Sequence, residues 1–562
     1  MKKRMLALAL AITMAATVIA GCGNSADGPS ASSTAQNEAG TTGVSEPGQF
    51  PIVPEKITLT AIVRDTAYIG PLSSNTFAQL YEDKTNIHVE YQEVPDSGMK
   101  ERVSLLLASN EVPDMFLTST ITPADNILYG TQGTFIPLND YIEKYGMEFK
   151  KITEQNPDML KSISAADGNI YGLPNINAAF HTFYFFKSWI NQQWLDKLGL
   201  KMPQTTTEFE NVLKAFKEND ANGDGANDEI PMMGAASKES VYNYVYPFLL
   251  NSFVYFDNTH LSLENGKVTF VSNTDAFKKG ITWIRSLFAQ GLIDETSLTQ
   301  TADQYKQVGT DPKGARIGVA TAPYWWVFAD YDANSPDKRS QQYTALANLK
   351  GPDGVSYAPL TGTGIMPSSF AITSKCKNPE AAFRWADGLF SDEMTLISQQ
   401  GKEGVDWDKP GQGALGIDGK PALYKIYTKT DEETSKENNW MANIILANRN
   451  STFRLGMETN MNDPEIKWNQ DVRLYNETRD KYYVNQADDK RFPDVALTPE
   501  ESTELAMLRT QINDYADEQI VLFLIGKKDI EKDWDSYIKQ YDKLNLKRYL
   551  EVLQTAYDRQ YK

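Results

Sequence analysis

Cysteine is almost missing from this chain: 562 residues carry two, Cys22 and Cys376. Stability must therefore come from burial and not from a disulfide framework. Histidine is as scarce, with three. His88, His181 and His260 are too far apart for a metal pair on one helix, and each reads as a packed or surface imidazole. Positive charge is short as well, 55 Lys and Arg against 74 Asp and Glu, for a net charge of −19. Such an acidic body disfavours nucleic acid and anionic lipid as partners. After residue 22 no stretch is long and apolar enough to span a membrane. The HExxH, GxSxG and Walker A patterns are absent. Cys376 has no local group to lower its pKa and reads as a small buried apolar side chain. With 74 acidic residues some carboxylate pair always lies close, so a glycosidase-like pair carries no information.

The N-terminus, "MKKRMLALALAITMAATVIAGC", opens on Lys2, Lys3 and Arg4 and continues as an apolar run from Met5 to Ala20. That is the layout of a secretory signal, shorter than the roughly 20 apolar residues of a membrane span. Ile19-Ala20-Gly21-Cys22 resembles the bacterial lipobox, which implies a signal peptide at 1–21 and a diacylglycerol on Cys22. The lipid would anchor the chain without spanning the bilayer. Losing the three cations takes the net charge from −19 to −22. Residues 23–49 hold one large aliphatic side chain, Val44, too little apolar surface to order a segment. Residues 22–53 therefore read as a flexible tether.

The body starts on "EKITLTAIV", where Ile57, Leu59 and Ala61 alternate with polar residues as in a strand. A helix follows with Phe77, Leu80 and Tyr81 on one face, then a strand, "IHVEYQEV". A second helix keeps Met99, Arg102, Val103, Leu106 and Leu107 in register, and a short strand covers 114–117. Alternating strands and helices predict a parallel α/β sheet. Ligands bind such sheets at the carboxyl ends of the strands, which here present Arg64, Asp65 and Tyr68, then Thr118 to Thr120.

The order of features resembles the extracellular solute-binding proteins of bacterial ABC importers, in the maltose-binding group. "LLLASNEVPDMFL" is similar to that group's first crossover helix and third strand, and "GNIYGLPNINAAFHTFYFFKSWI" to its hinge strand and entry into the second lobe. "KGARIGVATAPYWW" is similar to its Gly-Pro-Trp segment, and "GTGIMPSSFAITSKCKNPEAAFRWADGLFSDE" to its return strand and following helix. The long C-terminal half fits the LplA-like and alginate-binding-like branch of Firmicutes. The resemblance implies a two-lobed α/β periplasmic-binding-protein-like fold with hinge segments and C-terminal helices. It places 54–178 and 362–400 in the N-terminal lobe, and 179–361 and 401–562 in the C-terminal lobe. Near the end, Thr498-Pro499-Glu500-Glu501 is a capping box with Pro at the first helical position. Leu505, Leu508, Ile512 and Tyr515 line that helix, which Gly526 ends; Trp534, Tyr537, Ile538 and Tyr541 line the last one.

A sugar binder needs flat aromatic platforms beside hydrogen-bonding side chains, and 11% of this chain is aromatic. "APYWWVF" follows an apolar strand, so Tyr324, Trp325 and Trp326 stand at a strand end. The resemblance implies that one of the two Trp stacks on sugar, and which one stays open. Trp407, after the Gly-rich turn "GKEGVDWD", is a further candidate, as are Trp440 and Trp468. Asn175 and Asn177 offer amides at the hinge. An acidic sugar would demand cations, for which Arg64, Lys100 and Arg102 are available, and neutral oligosaccharides are the leading expectation.

"NDANGDGANDEI", residues 219–230, follows a helix that starts on the capping box Thr205 to Glu208. With Asp220 as position 1 of a calcium loop, Asn222, Asp224, the turn glycine Gly225, Ala226 and Asp228 fall at positions 3, 5, 6, 7 and 9. Position 12 holds Pro231 in place of a bidentate Glu, and Glu229 is the nearest substitute. The truncated pattern resembles the calcium loop of the alginate-binding-like branch. It implies Asp220, Asn222, Asp224, the Ala226 carbonyl, Asp228 and Glu229 as ligands of a structural Ca²⁺; hard oxygen donors favour it over transition metals, and Mg²⁺, which demands octahedral geometry and keeps several waters, ranks second.

These readings predict a lipid-anchored, monomeric substrate-binding subunit on the extracellular face of a Gram-positive cell membrane. It captures an oligosaccharide, delivers it to an ABC permease and performs no chemistry. A peptide or other nutrient receptor on the same fold and a surface glycoside hydrolase or lyase are the rival expectations.

Overall fold

The computed structural model describes residues 43–65, 70–236, 241–331, 335–427 and 445–562. Cys22, Tyr68 and Trp440 lie outside the described residues, as do the signal segment and residues 22–42 of the expected tether.

In chain order the strands are β1 (Ile57–Asp65), β2 (Ile87–Pro95), β3 (Met115–Leu117), β4 (Leu173–Asn177), β5 (Ser188–Asn191), β6 (Ile230–Met233), β7 (Leu261–Glu264) and β8 (Lys267–Phe270), followed by β9 (Ile317–Thr321), β10 (Tyr343–Leu346), β11 (Ile365–Ile372), β12 (Trp407–Asp408), β13 (Lys425–Ile426) and β14 (Asn448–Arg449). The first large sheet runs β14-β4-β11-β3-β1-β2 and the second β10-β5-β9-β6. β1 is parallel to β2 and β3, β4 is parallel to β14, and β11 runs antiparallel to its neighbours β3 and β4. Each sheet carries its own apolar core, so the chain folds as two α/β lobes.

The expected elements of the first lobe are present. The helix Thr76–Thr85 starts where the Asn75 side chain accepts from the Phe77 and Ala78 N–H groups, and ends at Asn86 in the left-handed region, φ 62°. Its buried line is Phe77, Tyr81, Thr85. Leu80, expected on that face, is 39% exposed, because it leads Tyr81 by about 100° around the helix. In the helix Met99–Ser109, Met99, Val103, Leu106 and Leu107 are buried while Arg102 is exposed. β1 keeps its in–out alternation only at its start. Ala61, Ile62 and Val63 are all buried, because apolar cores cover both faces of the sheet there.

Two boundaries differ from those the sequence suggests. The tether does not extend to residue 53: Ile52 and Val53 lie in the first lobe's core, and the Ile52 N–H donates to the Thr85 carbonyl at 3.0 Å. The buried Arg384 donates to the Ser45 and Gln49 carbonyls and holds this strap. A polar composition average over the segment hides those two apolar residues and their distant partner. Nor does everything after residue 400 join the second lobe, since β14 is an edge strand of the first sheet. The C-terminal helices Pro499–Leu524, Ile530–Lys543 and Leu546–Tyr561 do pack on the second core. The Thr498/Glu501 capping box forms. The Trp534–Tyr541 helix is followed by one more, because Asn545 turns the chain at φ 57°.

Candidate functional site

Three segments cross between the lobes: from β4 to β5, from β10 to β11, and onward from β14. Hydrogen bonds lace them together. The Asn177 N–H donates to the Gly364 carbonyl at 2.7 Å, Ala178 N–H to Arg449 at 2.8 Å, and Thr361 N–H to Phe183 at 2.8 Å. Gly364 has φ +71°, and a Cβ there would stand 2.5 Å from the Ala178 Cα. Only glycine combines that conformation with that approach.

The first crossing segment has two faces. Phe180, Phe183 and Tyr184 line a cavity of about 680 Å³, together with Asn156 and Met159 of the first lobe and Tyr483 and Gln486 of the second. His181 and Phe185 turn the other way, edge-on to Tyr324 with ring centroids 5.7 and 5.8 Å away. The same division runs through the strands. Ile176, Ala178, Asn448 and Asn450 line the cavity, so alternation directs Asn175, Asn177 and Arg449 to the opposite face.

On that opposite face the expected aromatic segment forms a column. Tyr324 stacks on Trp326 at 4.2 Å and 8°, and Trp326 on Tyr331 at 5.7 Å and 16°. Both faces of Trp326 are thus taken, and the open end is Tyr331, 46% exposed. Trp325 is 3% exposed. Its ring is covered by the Arg473 guanidinium at 4.2 Å and by Trp189 at 5.5 Å, so it belongs to the second core. The Trp325 or Trp326 alternative thus resolves into one core residue and one residue sandwiched in the column.

The buried polar groups of this face are underused. Asn175 Oδ1, Asn177 Oδ1 and Arg449 Nε are buried without a hydrogen-bond partner among the described residues. Arg449 and Asn177 are ladder partners on adjacent strands, and Asn175 lies two residues back on the same face. Arg449 is 4% exposed, and its Nη1 donates to the neutral Gln399 Oε1 at 2.7 Å. Burial, then the like charge of Arg454, pushes its pKa down to about 10. The Arg454 guanidinium also acts on His181 and Tyr324, which ties this patch to the column. Burial, with Lys187 and Arg454 adding to it, pushes His181 down to about 3, so the ring is neutral. Lys187 donates to the His181 carbonyl at 2.8 Å, and burial lowers its pKa to about 7. Burial raises the pKa of Asp471, and the Arg454 charge offsets part of that rise.

The other expected contacts stand elsewhere. Trp407 is 7% exposed, donates to the Gly401 carbonyl at 2.8 Å and packs with Tyr424 and Phe453 in a satellite core. A Gly-rich turn in sequence does not reveal that its indole closes that turn from inside. Arg64 faces Asp96 at 3.5 Å at the end of β1, beside the exposed Asp65. Thr118 and Thr120 bond to each other at 2.9 Å, and Lys100 is exposed. Trp468 carries the Arg473 guanidinium at 5.4 Å. Cys376 is buried, with its thiol pushed up to about 12. Arg449 escapes sequence reasoning because its ladder partner, Asn177, lies some 270 residues away. The available signal was "IILANRN", an apolar run that switches to alternating polar residues with Arg in the middle.

The acidic loop lies between the helix Thr206–Glu218 and β6. Among the described residues no three His, Cys, Asp or Glu side chains stand together as a ready metal cluster. The loop's side chains instead accept from its own backbone. Asp220 takes the Gly223 N–H at 2.7 Å and the Gly225 N–H at 3.3 Å, and Asp224 takes Ala226 N–H at 2.7 Å. Gly223 and Gly225 both have positive φ, 87° and 82°. Asn222 reaches Glu229 Oε1 with its N–H and Asp228 Oδ1 with its amide, at 3.2 and 3.4 Å, while Glu229 Oε2 is buried and unpartnered. Lys197 and Arg316 offset part of the charge, Lys197 through the Asp220 carbonyl and Arg316 through Asp228. The oxygen donors and the orphaned Glu229 oxygen fit a hard cation.

The family described as bacterial extracellular solute-binding protein matches residues 68–395. The fructooligosaccharide ABC transporter substrate-binding protein FusA of Streptococcus pneumoniae is 29% identical over 562 residues, 98% of this chain and 97% of that protein. Lipoprotein LipO of Bacillus subtilis is 23% identical, over 73% of this chain and 75% of its own. The structure of FusA with kestose has a TM-score of 0.68 at 26% identity, covering 89% of this chain and 99% of that one. A second FusA structure, of an EF-hand mutant with fructo-nystose, gives the same values. An extracellular solute-binding protein from Bifidobacterium longum subsp. infantis has a TM-score of 0.73 at 24% identity, over 90% and 99% of the two chains.

Proposed function

The chain belongs to the bacterial extracellular solute-binding proteins, and from that premise we propose that it is the substrate-binding subunit of an ABC importer, taking an oligosaccharide between its lobes. The observation that carries this reading is the hinge face where the Tyr324–Trp326–Tyr331 column adjoins the unpartnered Asn175, Asn177 and Arg449. An apolar ring and convergent hydrogen-bonding groups suit the apolar and polar sides of a sugar. The full-length relative's name as a fructooligosaccharide substrate-binding protein supports the same class.

In this reading the lobes close on the solute and an ABC permease recognises the closed form, with no catalytic step. Cys22 carries the lipid that holds a monomer at the extracellular face of the cell membrane. A relative named as a lipoprotein and the lack of a membrane-spanning helix among the described residues are consistent with that placement. Asp220, Asn222, Asp224, the Ala226 carbonyl, Asp228 and Glu229 would hold a structural Ca²⁺. An EF-hand in the relative supports this assignment. Calcium there would neutralise the carboxylates and pin the loop.

Calorimetry of the full chain against oligosaccharide and oligopeptide panels tests the function. Micromolar or tighter binding of oligosaccharides is the expected result. Tight peptide binding without a sugar response would replace the solute class, and time-dependent shortening of a polysaccharide would replace the transport reading with an enzyme.

A further inference from the structure

Trp326 and Tyr331, the two rings at the open end of the column, are joined by a short turn, and one side chain from another element grips that turn. The turn follows β9 and opens as a 3₁₀ turn over Trp325–Val327. Its own N–H groups take the first carbonyls: Val327 donates to Tyr324, and Phe328 and Ala329 donate to Trp325. The carbonyls of Trp326 and Ala329 accept from the Lys306 ammonium, the first at 2.9 Å. The same ammonium pairs with the Asp330 carboxylate at 3.1 Å. An ammonium has three N–H donors and no acceptor, so one donor is available for each of Trp326, Ala329 and Asp330. The helix that carries Lys306, Ala302–Gly309, is fixed in its turn. Thr301 and Gln304 form its capping box, and the hydroxyl of the buried Tyr305 lies 3.3 Å from the Met233 and Thr321 carbonyls. Gly309 lets the helix press on the turn, since a Cβ there would stand 1.8 Å from the Phe328 oxygen.

We infer that Lys306 is a positioning residue for solute binding, which clamps the turn between Trp326 and Tyr331 and holds the end ring in its stack before the solute arrives; this rests on the oligosaccharide reading above. Tyr331 is 46% exposed, so burial alone does not fix its ring. What fixes it is the stack on Trp326, at 5.7 Å and 16°, and the backbone that joins the two rings. Lys306 binds that backbone at Trp326 and at Ala329, and binds the side chain of Asp330, the residue just before the ring. A compact ammonium on a flexible stem can serve three acceptors on one turn, which a planar guanidinium fork cannot match. Ordering a mobile side chain on binding costs affinity, and a surface already held in its bound form avoids that cost. The contacts of the ammonium are all with the turn, so its effect on a sugar passes through the rings.

The test is a double-mutant cycle in the full chain, read by calorimetry with the oligosaccharide of a defined panel that the unaltered chain binds tightest. Lys306→Met keeps the stem and removes the donors, and it should weaken binding about fivefold, the size expected for one side chain that must now be ordered on binding. In a Tyr331→Ala background the same change should cost less than about twofold, because a residue that acts through another loses its effect when the other is gone. A merely structural role would weaken both backgrounds alike. The melting curve of Lys306→Met is checked first, and Lys306→Gln, which keeps a donor for one carbonyl, carries the cycle if the Met variant does not fold. Unchanged affinity, or an equal loss in both backgrounds, overturns the inference and leaves the oligosaccharide reading intact. Full affinity in Tyr331→Ala alone overturns it as well, since the clamp would then hold a ring the solute does not use. An unaltered chain that binds no saccharide at all overturns both.

Discussion

The acidic loop at 220–229 and the hinge patch at Asn175, Asn177 and Arg449 both crowd polar atoms into a small space, and they handle the crowding differently. In the loop, two left-handed glycines turn backbone N–H groups toward Asp220, and Asp224 takes a third, so much of the demand is met within ten residues. Its one orphan is a single Glu229 oxygen. In the hinge the polar atoms sit on strands that spend their backbone groups on pairing, and three side-chain atoms have no partner. A locally satisfied cluster is built to hold shape. A buried, unsatisfied one is built for something that arrives from outside, because an unpaired buried group costs about 1–3 kcal/mol until it is met.

That contrast can be broken by experiment, and removing calcium should give the largest effect. At 100-fold over its Kd a bound ion stabilises the native state by about 2.7 kcal/mol. EGTA should therefore lower the urea-unfolding stability by about that much while changing oligosaccharide affinity less than twofold. An unchanged unfolding curve would remove the ion from the account. In the hinge the opposite split is expected. Asn177→Leu replaces an unpaired polar group by an apolar one of similar shape, so stability should hold or rise while affinity falls by about 2 kcal/mol. Loss of stability with affinity intact would make Asn177 a structural residue.

The pH response should separate the patches further. His181 has a folded pKa of about 3, below its unfolded value of about 6.5. Its stabilising contribution is complete above pH 6.5 and is lost as pH falls toward 3, amounting to about 2 kcal/mol by pH 5. His181→Gln should flatten that part of the stability profile, and an unaltered slope would place the titration elsewhere. Tyr331→Ala should have the smallest effect, about 1 kcal/mol of affinity from the lost ring face with unfolding unchanged. Calorimetry showing full affinity would exclude the column's end as a platform.

Much of the fold was legible because its signals are local. Thr205 and Thr498 cap helices by contacts within three residues, and the strands of the first lobe announce themselves by their apolar residues. The site was legible in part. Asn175 and Asn177 lie in β4 itself, which runs on past the apolar stretch that marks it in sequence, and "APYWW" stands at a strand end as expected. Which Trp faces the core depends on Arg473 and Trp189, which no pattern around residue 325 contains. Arg449 depends on a two-residue strand pairing across the chain, below the length at which periodicity can be detected. The strap at 44–53 was hidden for the same reason, since its anchor is Arg384.

The contact between Gly364 and Ala178 leaves no room for a methyl group, and it joins two of the segments linking the lobes. A point that cannot be compressed and is held by hydrogen bonds acts as a fulcrum. The lobes can swing about it but cannot slide past it. A swing that narrows the column face must widen the face with the 680 Å³ cavity, so the two sides of the molecule behave as the arms of one lever. A side chain added on the cavity side would then change how readily the far side shuts without touching the solute.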